Sequence, residues 1–427
     1  MDMKIISILS SGYGRLHLVQ SAEWLGRAGV EVRFLCGWVP RNTGGWIVRL
    51  CSWIVGRNLA PGLKKRAISL KSGGKVYSCA WVDFMCNALA ICDRMLFKRR
   101  FQGAIECFVW SVFGLHTRRH IRKTAKNEVR CVFHVRSGAG QGGAIKMAKK
   151  YGLKVLVDHS ALHPEQSEIN LKEDCRRWGI KVPIAPHRGV WKNVLSDCLG
   201  ADILMVNANH IRDSFVARGY DPSKIRVVYL GVRDDFRDVA IKRLESGKEN
   251  NVPRLLFTGS FYVLKGAEYL LEALRILKDR GVAVHCDVVG SVNVPRALIE
   301  KYCDLPVTFH GPVPQDDLMQ FLSDSDIYIF PSLADGCAQS GMEALTAGLP
   351  VVATYQSGLP ITDNETGCVV PMKDSAAIAD KVEWLVSNPD ERIRIGKNAA
   401  KMMRENYTWE KYAANVKKIY EEMLNDE

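Results

Sequence analysis

Short apolar runs alternate with longer stretches of helical period along most of the chain. In the first half the runs fall at residues 5–9, 31–35, 129–135, 154–158, 203–206 and 225–230, each rich in Val, Ile and Leu. Runs this short, apolar on successive residues, predict strands buried on both faces, as in parallel sheets covered by helices. A charged, poorly apolar stretch follows at 233–252, with Glu245, Lys248, Glu249 and two asparagines, and it reads as a linker. A second alternating series then begins, with strands expected at 254–258, 282–289, 307–310, 327–330 and 351–353. Between Ala267 and Lys278, Leu270, Leu271, Leu274 and Leu277 recur at the spacing of one helical stripe. Tyr412, Val416, Ile419, Tyr420 and Met423 repeat that pattern in a final helix from about Trp409 to Leu424. The pattern predicts an α/β chain of two doubly wound domains in tandem.

Composition narrows this. The 427 residues are 47% hydrophobic and 25% charged, which excludes a disordered tail, a collagen-like fibre or a small disulfide scaffold. Thirteen cysteines are scattered without a C-x-x-C pair, so a reduced, cytoplasmic protein is expected. The apolar start ends within six residues in Ser10, Ser11 and Gly12, as an opening strand does and a signal peptide does not. Arg49, Asp93, Arg94 and Glu106 interrupt the best candidates for a spanning helix.

Ligands of open parallel sheets sit beyond the carboxyl ends of the strands, and three segments there have suitable chemistry. Gly12 and Gly14, after the first strand, allow close backbone approach to an anion; an ordinary tight turn has the same composition. Gly259-Ser260, with Lys265 ahead of a long helix, can form a phosphate site from amides, dipole and ammonium. It lacks the spacing of an NTPase P-loop. The third segment runs from Pro331 to Pro350. Asp335 follows a strand and Glu343 falls in the first turn of a helix, where a carboxylate can accept two hydrogen bonds from a vicinal diol such as ribose. A Ser340-x-x-Glu343 capping box fits the same residues.

Asp335-x7-Glu343, with Ala344 and the run Gly348-Leu349-Pro350-Val351-Val352-Ala353-Thr354, resembles the Glu-x7-Glu signature of family 4 retaining glycosyltransferases. Lys265-Gly266, the segment Arg226 to Val232 and the terminal Tyr407-Thr408-Trp409-Glu410 agree in order. The resemblance runs from about Ile203 to the end. It implies a GT-B fold, two Rossmann-like domains facing across a cleft: an acceptor-binding domain over 1–235, a linker over 236–252, a nucleotide-sugar domain over 253–405, and a helix over 406–427 returning to the first domain. By the same resemblance Glu343 holds the ribose hydroxyls and Lys265 the diphosphate. Asp335 and the amides of Gly336, Cys337 and Ala338 address the donor sugar, and His159 lies near that sugar. Two positions depart from the family: Asp335 is one methylene shorter than the usual Glu, and Ser260 stands where many relatives have an arginine.

The implied activity is retaining transfer of a hexose-type sugar from a nucleotide-diphosphate sugar to a lipid-linked or anionic glycan acceptor, in assembly of cell-surface polysaccharide or lipopolysaccharide. No metal or other cofactor is expected. A catalytically silent membrane-docking protein of this fold is the alternative, as is another GT-B enzyme such as a nucleotide-sugar epimerase or a sugar phosphorylase. Asp324-Ser325-Asp326 imitates a metal-binding D-x-D but precedes its strand, at the end away from the cleft. His116 and His120 share a helix face without a third ligand.

Charge is divided unevenly. Residues 1–200 hold 33 Lys and Arg against 13 Asp and Glu, whereas the remainder holds 26 against 33. Eight of the ten tryptophans fall in that basic part, and Trp with Lys and Arg suits a helix in a membrane interface. Trp46, Trp53, Lys64, Lys65 and Arg66 are the expected contacts with an anionic surface, peripheral on the inner face of the plasma membrane. An insertion packed on its own domain with solvated charges is the other reading. No nucleic-acid module is visible.

Overall fold

The computed structural model describes residues 5–12, 17–40, 67–98, 100–126, 130–246 and 250–425, with positions 49, 52, 58, 63, 64 and 66 singly. Thirteen described strands form two sheets. The first contains β1 (Ile6–Ser10), β2 (Glu31–Cys36), β3 (Lys75–Ser78), β4 (Cys131–Arg136), β5 (Lys154–His159), β6 (Ile203–Val206) and β7 (Ile225–Val227), in the order 3-2-1-4-5-6-7. The second contains β8 (Arg254–Thr258), β9 (His285–Val289), β10 (Val307–Gly311), β11 (Ile327–Phe330), β12 (Val351–Thr354) and β13 (Cys368–Val370), in the order 10-9-8-11-12-13. The pairings are parallel. Strands such as β1, β11 and β12 are buried along their whole length, which accounts for their uninterrupted hydrophobicity.

Strand order reverses between β1 and β4 in the first sheet and between β8 and β11 in the second. Crevices open at such switch points. The loops holding Gly12, Gly259 and Asp335 leave the carboxyl ends of β1, β8 and β11, so topology alone gathers the three candidate segments.

The stretch expected as a linker is largely helical, from Asp235 to Ser246. Phe236, Val239 and Ala240 are buried, a stripe of three apolar positions hidden among charges. The helix packs on helices Gln315–Asp324, Gln339–Thr346 and Pro389–Asn406, and Arg243 donates to Gly348 O at 2.7 Å and Ser325 O at 3.0 Å. The last helix, Trp409–Asn425, returns to the first domain and packs on helix Leu18–Arg27 and β4. Tyr412, Val416 and Tyr420 join the cluster of Leu9, Leu18 and Phe34, and Tyr420 OH lies 3.0 Å from Ser7 Oγ. Among the described residues no helix is long and apolar enough to cross a membrane.

Candidate functional site: the cleft between the sheets

Gly12 follows β1 in the left-handed region at φ +68. His17 then caps helix Leu18–Arg27, and its ring lines the cleft. His17 Nε2 lies 2.8 Å from Asp158 Oδ2, near the end of β5. His134 Nε2 approaches the same oxygen at 3.5 Å, and its Nδ1 shares a 2.6 Å hydrogen bond with Tyr420 OH of the returning helix. Burial alone would raise the Asp158 pKa, but the two histidines hold it well below the usual carboxylate range. An ionised, buried carboxylate therefore fixes the imidazole on the cleft wall.

His159, the histidine expected beside the sugar, is buried. Its Nδ1 shares a 2.8 Å hydrogen bond with Ser137 Oγ, and its ring meets Phe215 edge-on. Burial pushes its pKa down to about 4, so it is neutral at pH 7. Its neighbour Ser160 lines the cleft in its place.

In the second domain Lys265 ends a 3-10 turn after β8, and its ammonium pairs with the Asp335 carboxylate above the Phe330 ring. Gly266, at φ +73, lets that turn rest on Pro331 O, which a Cβ would approach to 2.0 Å. Asp335 Oδ1 also accepts from Gly336 N at 2.8 Å, and Ala338 N donates to Ser357 O at 3.0 Å. Two of the three amides expected to address a donor sugar are thus already engaged. Gly336 closes the cleft, since a Cβ there would lie 2.2 Å from Ser160 O of the first domain. His210 Nε2 donates to Asp335 O at 2.9 Å across the same boundary. Gly259 is exposed, and Ser260 Oγ accepts from Ser291 Oγ at 3.0 Å and Asn293 Nδ2 at 2.9 Å.

Helix Gln339–Thr346 begins at Ala338 without a side-chain cap. Ser340 Oγ instead accepts from Tyr328 OH at 3.0 Å, so the capping box does not form. The Glu343 carboxylate consequently has no hydrogen bond among the described residues. Burial pushes its pKa up to about 7, with Arg233 opposing and Asp235 adding to the rise. Glu343, Asp335, Gly336 and Cys337 line a cleft of about 460 Å³ opposite His17, Ser160, Asn207 and Arg233. Burial holds the Cys337 thiol protonated, which suits it to shaping the wall rather than to nucleophilic chemistry.

Other expected residues lie elsewhere. Gly14, Trp46, Trp53 and Lys65 fall outside the described residues. Lys64 is exposed, and Arg66 sets its guanidinium 5.9 Å from the Trp38 ring centre. Asp326 bonds Arg254 N and Asn250 Nδ2 at the start of β11, each at 2.8 Å. His116 and His120 pack ring to ring at 4.7 Å.

The second domain matches the family model "Glycosyl transferases group 1" over residues 252–388. The chain is 29% identical over 246 residues to a D-inositol 3-phosphate glycosyltransferase of Corynebacterium efficiens, covering 53% of this chain and 58% of that protein. It thus spans little more than half the length of the curated relatives it matches. A glycosyltransferase structure from Rickettsia africae superposes with a TM-score of 0.63 at 17% identity, over 100% of both chains. The Anabaena protein HepE in complex with UDP does so with a TM-score of 0.61 at 13% identity, over 98% of this chain and 100% of that one. The fold is thus that of GT-B glycosyltransferases, and the segment that carries Lys265, Asp335 and Glu343 is the one that matches the glycosyl transferases group 1 model.

Proposed function

We propose that the chain transfers a hexose-type sugar, with retention, from a nucleotide-diphosphate sugar to a lipid-linked or anionic glycan acceptor in cell-surface polysaccharide or lipopolysaccharide assembly. The carrying observation is the unpartnered Glu343 carboxylate, which lines the interdomain cleft together with Asp335. Glu343 accepts both ribose hydroxyls, and Lys265 turns from Asp335 towards the diphosphate. Asp335, freed, addresses the sugar. The sugar-to-phosphate bond breaks, its electron pair stays on the diphosphate, and the acceptor oxygen bonds to the anomeric carbon from the same face. The acceptor proton passes to the leaving phosphate, so no enzymatic base, metal or other cofactor enters. Lys265 and helix-end amides stabilise the developing negative charge. The basic first domain faces the acceptor, placed at an anionic membrane surface on the cytoplasmic side.

The UDP in the Anabaena structure makes uridine nucleotide sugars the first panel to screen. A true donor at about 100 times its dissociation constant adds roughly 2.7 kcal/mol of stability. In Glu343→Ala that gain should vanish, since two charge-assisted hydrogen bonds together contribute about 3–6 kcal/mol. An undiminished thermal shift in Glu343→Ala would end the ribose assignment. Retention is checked by NMR of the product's anomeric centre, and an inverted anomer refutes it.

A further inference from the structure

Between β3 and β4 the chain forms a helical hairpin, Ala80–Phe97 and Gln102–Ala125. Its base is part of the domain, with Val82, Val109, Trp110 and Phe113 buried. Its distal half is not: among the described residues from 83 to 108, Asp93 alone is buried. Phe84 is 78% exposed, Met95 77% and Leu96 72%, and Ile91, Phe97, Phe101 and Phe108 are also exposed. An exposed apolar patch of this kind marks an interaction surface.

The tip is built rather than frayed. Lys98 takes the left-handed conformation at φ 48 and ends the first helix. The buried Asp93 carboxylate accepts from Phe101 N at 3.0 and 3.2 Å, which ties the turn back onto that helix. Phe97 and Phe101 meet edge-on at 5.2 Å. Arg94, Lys98 and Arg100 are exposed around these rings, while Asp93 is turned inward. Between the helices a groove of about 430 Å³ has a mixed lining, apolar at Ala90, Ile91 and Ile105 and charged at Asp93, Arg94 and Glu106.

We infer that the hairpin tip inserts into an anionic lipid bilayer surface, with Met95, Leu96, Phe97 and Phe101 among the acyl chains and Arg94, Lys98 and Arg100 at the headgroups. Charge complementarity selects this occupant: a second copy would set the same three cations against themselves, whereas anionic headgroups neutralise them. The site lies well along the chain from the tryptophans and lysines of residues 46–66. The inference deepens the proposed reading of a membrane-borne acceptor and depends on it only for what the membrane presents.

The test is flotation of the full chain with vesicles of phosphatidylcholine containing 30% phosphatidylglycerol, against pure phosphatidylcholine, without donor or acceptor. Wild type should float with the anionic vesicles only. Arg94→Gln with Arg100→Gln should weaken partitioning about 30-fold, from roughly 1 kcal/mol per basic residue. Leu96→Ser with Phe97→Ser should weaken it at least as much, with thermal melting and nucleotide binding unchanged. Undiminished flotation in both variants overturns the inference, as does a wild-type dimer in light scattering that either variant dissolves. Nucleotide binding measured in parallel separates this failure from failure of the sugar-transfer reading, since the hairpin lies outside the cleft.

Discussion

A carboxylate must be ionised to accept two hydrogen bonds from a diol, and burial holds the Glu343 pKa up near 7. A group whose pKa is raised is mostly neutral below that value and charged above it, so nucleotide affinity should rise with pH through the neutral range. Between pH 6 and pH 8 the ionised fraction grows about tenfold, and the association constant measured by calorimetry should grow with it. Glu343→Gln should bind weakly and lose this dependence; a flat wild-type profile would show that the carboxylate takes no part. Glu343, Asp335 and Lys265 were legible because each sits in a short segment whose glycines and small residues fix the local backbone. The partners of His17 were not. His17 and Asp158 are 141 residues apart and meet only because β1, β4 and β5 are neighbours in the sheet. Nor does any spacing announce Tyr420 beside His134.

The strands that could be read from the sequence are those with uninterrupted hydrophobicity. β3, Lys75–Ser78, is an edge strand with both end residues exposed, and its sequence Lys-Val-Tyr-Ser carries too little apolar signal. β13 has three residues and lies at the other sheet's edge. Helix Asp235–Ser246 was hidden for a related reason. Its buried stripe needs only Phe236, Val239 and Ala240, because it lies against three other helices and leaves the rest of its circumference to charges. The hairpin of residues 80–125 is the reverse case. Its distal half is apolar without being core, so periodicity that reports burial in a domain has nothing to report there. What is legible at such a tip is composition, cations interleaved with aromatic and aliphatic residues.

At the scale of the whole chain, the two domains touch at the cleft through Gly336 and Ser160 and again along helix Pro164–Arg177. Asp174 of that helix, 1% exposed, accepts from Tyr269 OH at 2.5 Å and pairs with Lys373 Nζ at 2.6 Å, both from the second domain. Trp178 Nε1 and Arg177 add hydrogen bonds to Glu268 at 2.8 and 3.2 Å, and Asn170 Nδ2 donates to Leu333 O at 2.7 Å. The returning helix, which packs on helix Leu18–Arg27 and β4, joins the second domain to the first independently of these contacts. Cutting them should therefore let the domains separate about that helix without unfolding either one. Asp174→Ala leaves Tyr269 without its acceptor and Lys373 with only the more distant Glu173 carboxylate, at 3.6 Å. Removing one partner of a fully buried pair costs roughly 3–5 kcal/mol, and the partial exposure of Lys373 reduces this to about 2 kcal/mol. The radius of gyration from small-angle scattering should rise in Asp174→Ala, and a bound donor nucleotide sugar, which contacts both walls of the cleft in the proposed function, should reverse part of that rise. Nucleotide binding should weaken only modestly, because Glu343 and Lys265 belong to one domain, while transfer, which needs both walls, should fall more steeply. A variant with wild-type dimensions and undiminished transfer would show that these contacts do not set the closure of the cleft.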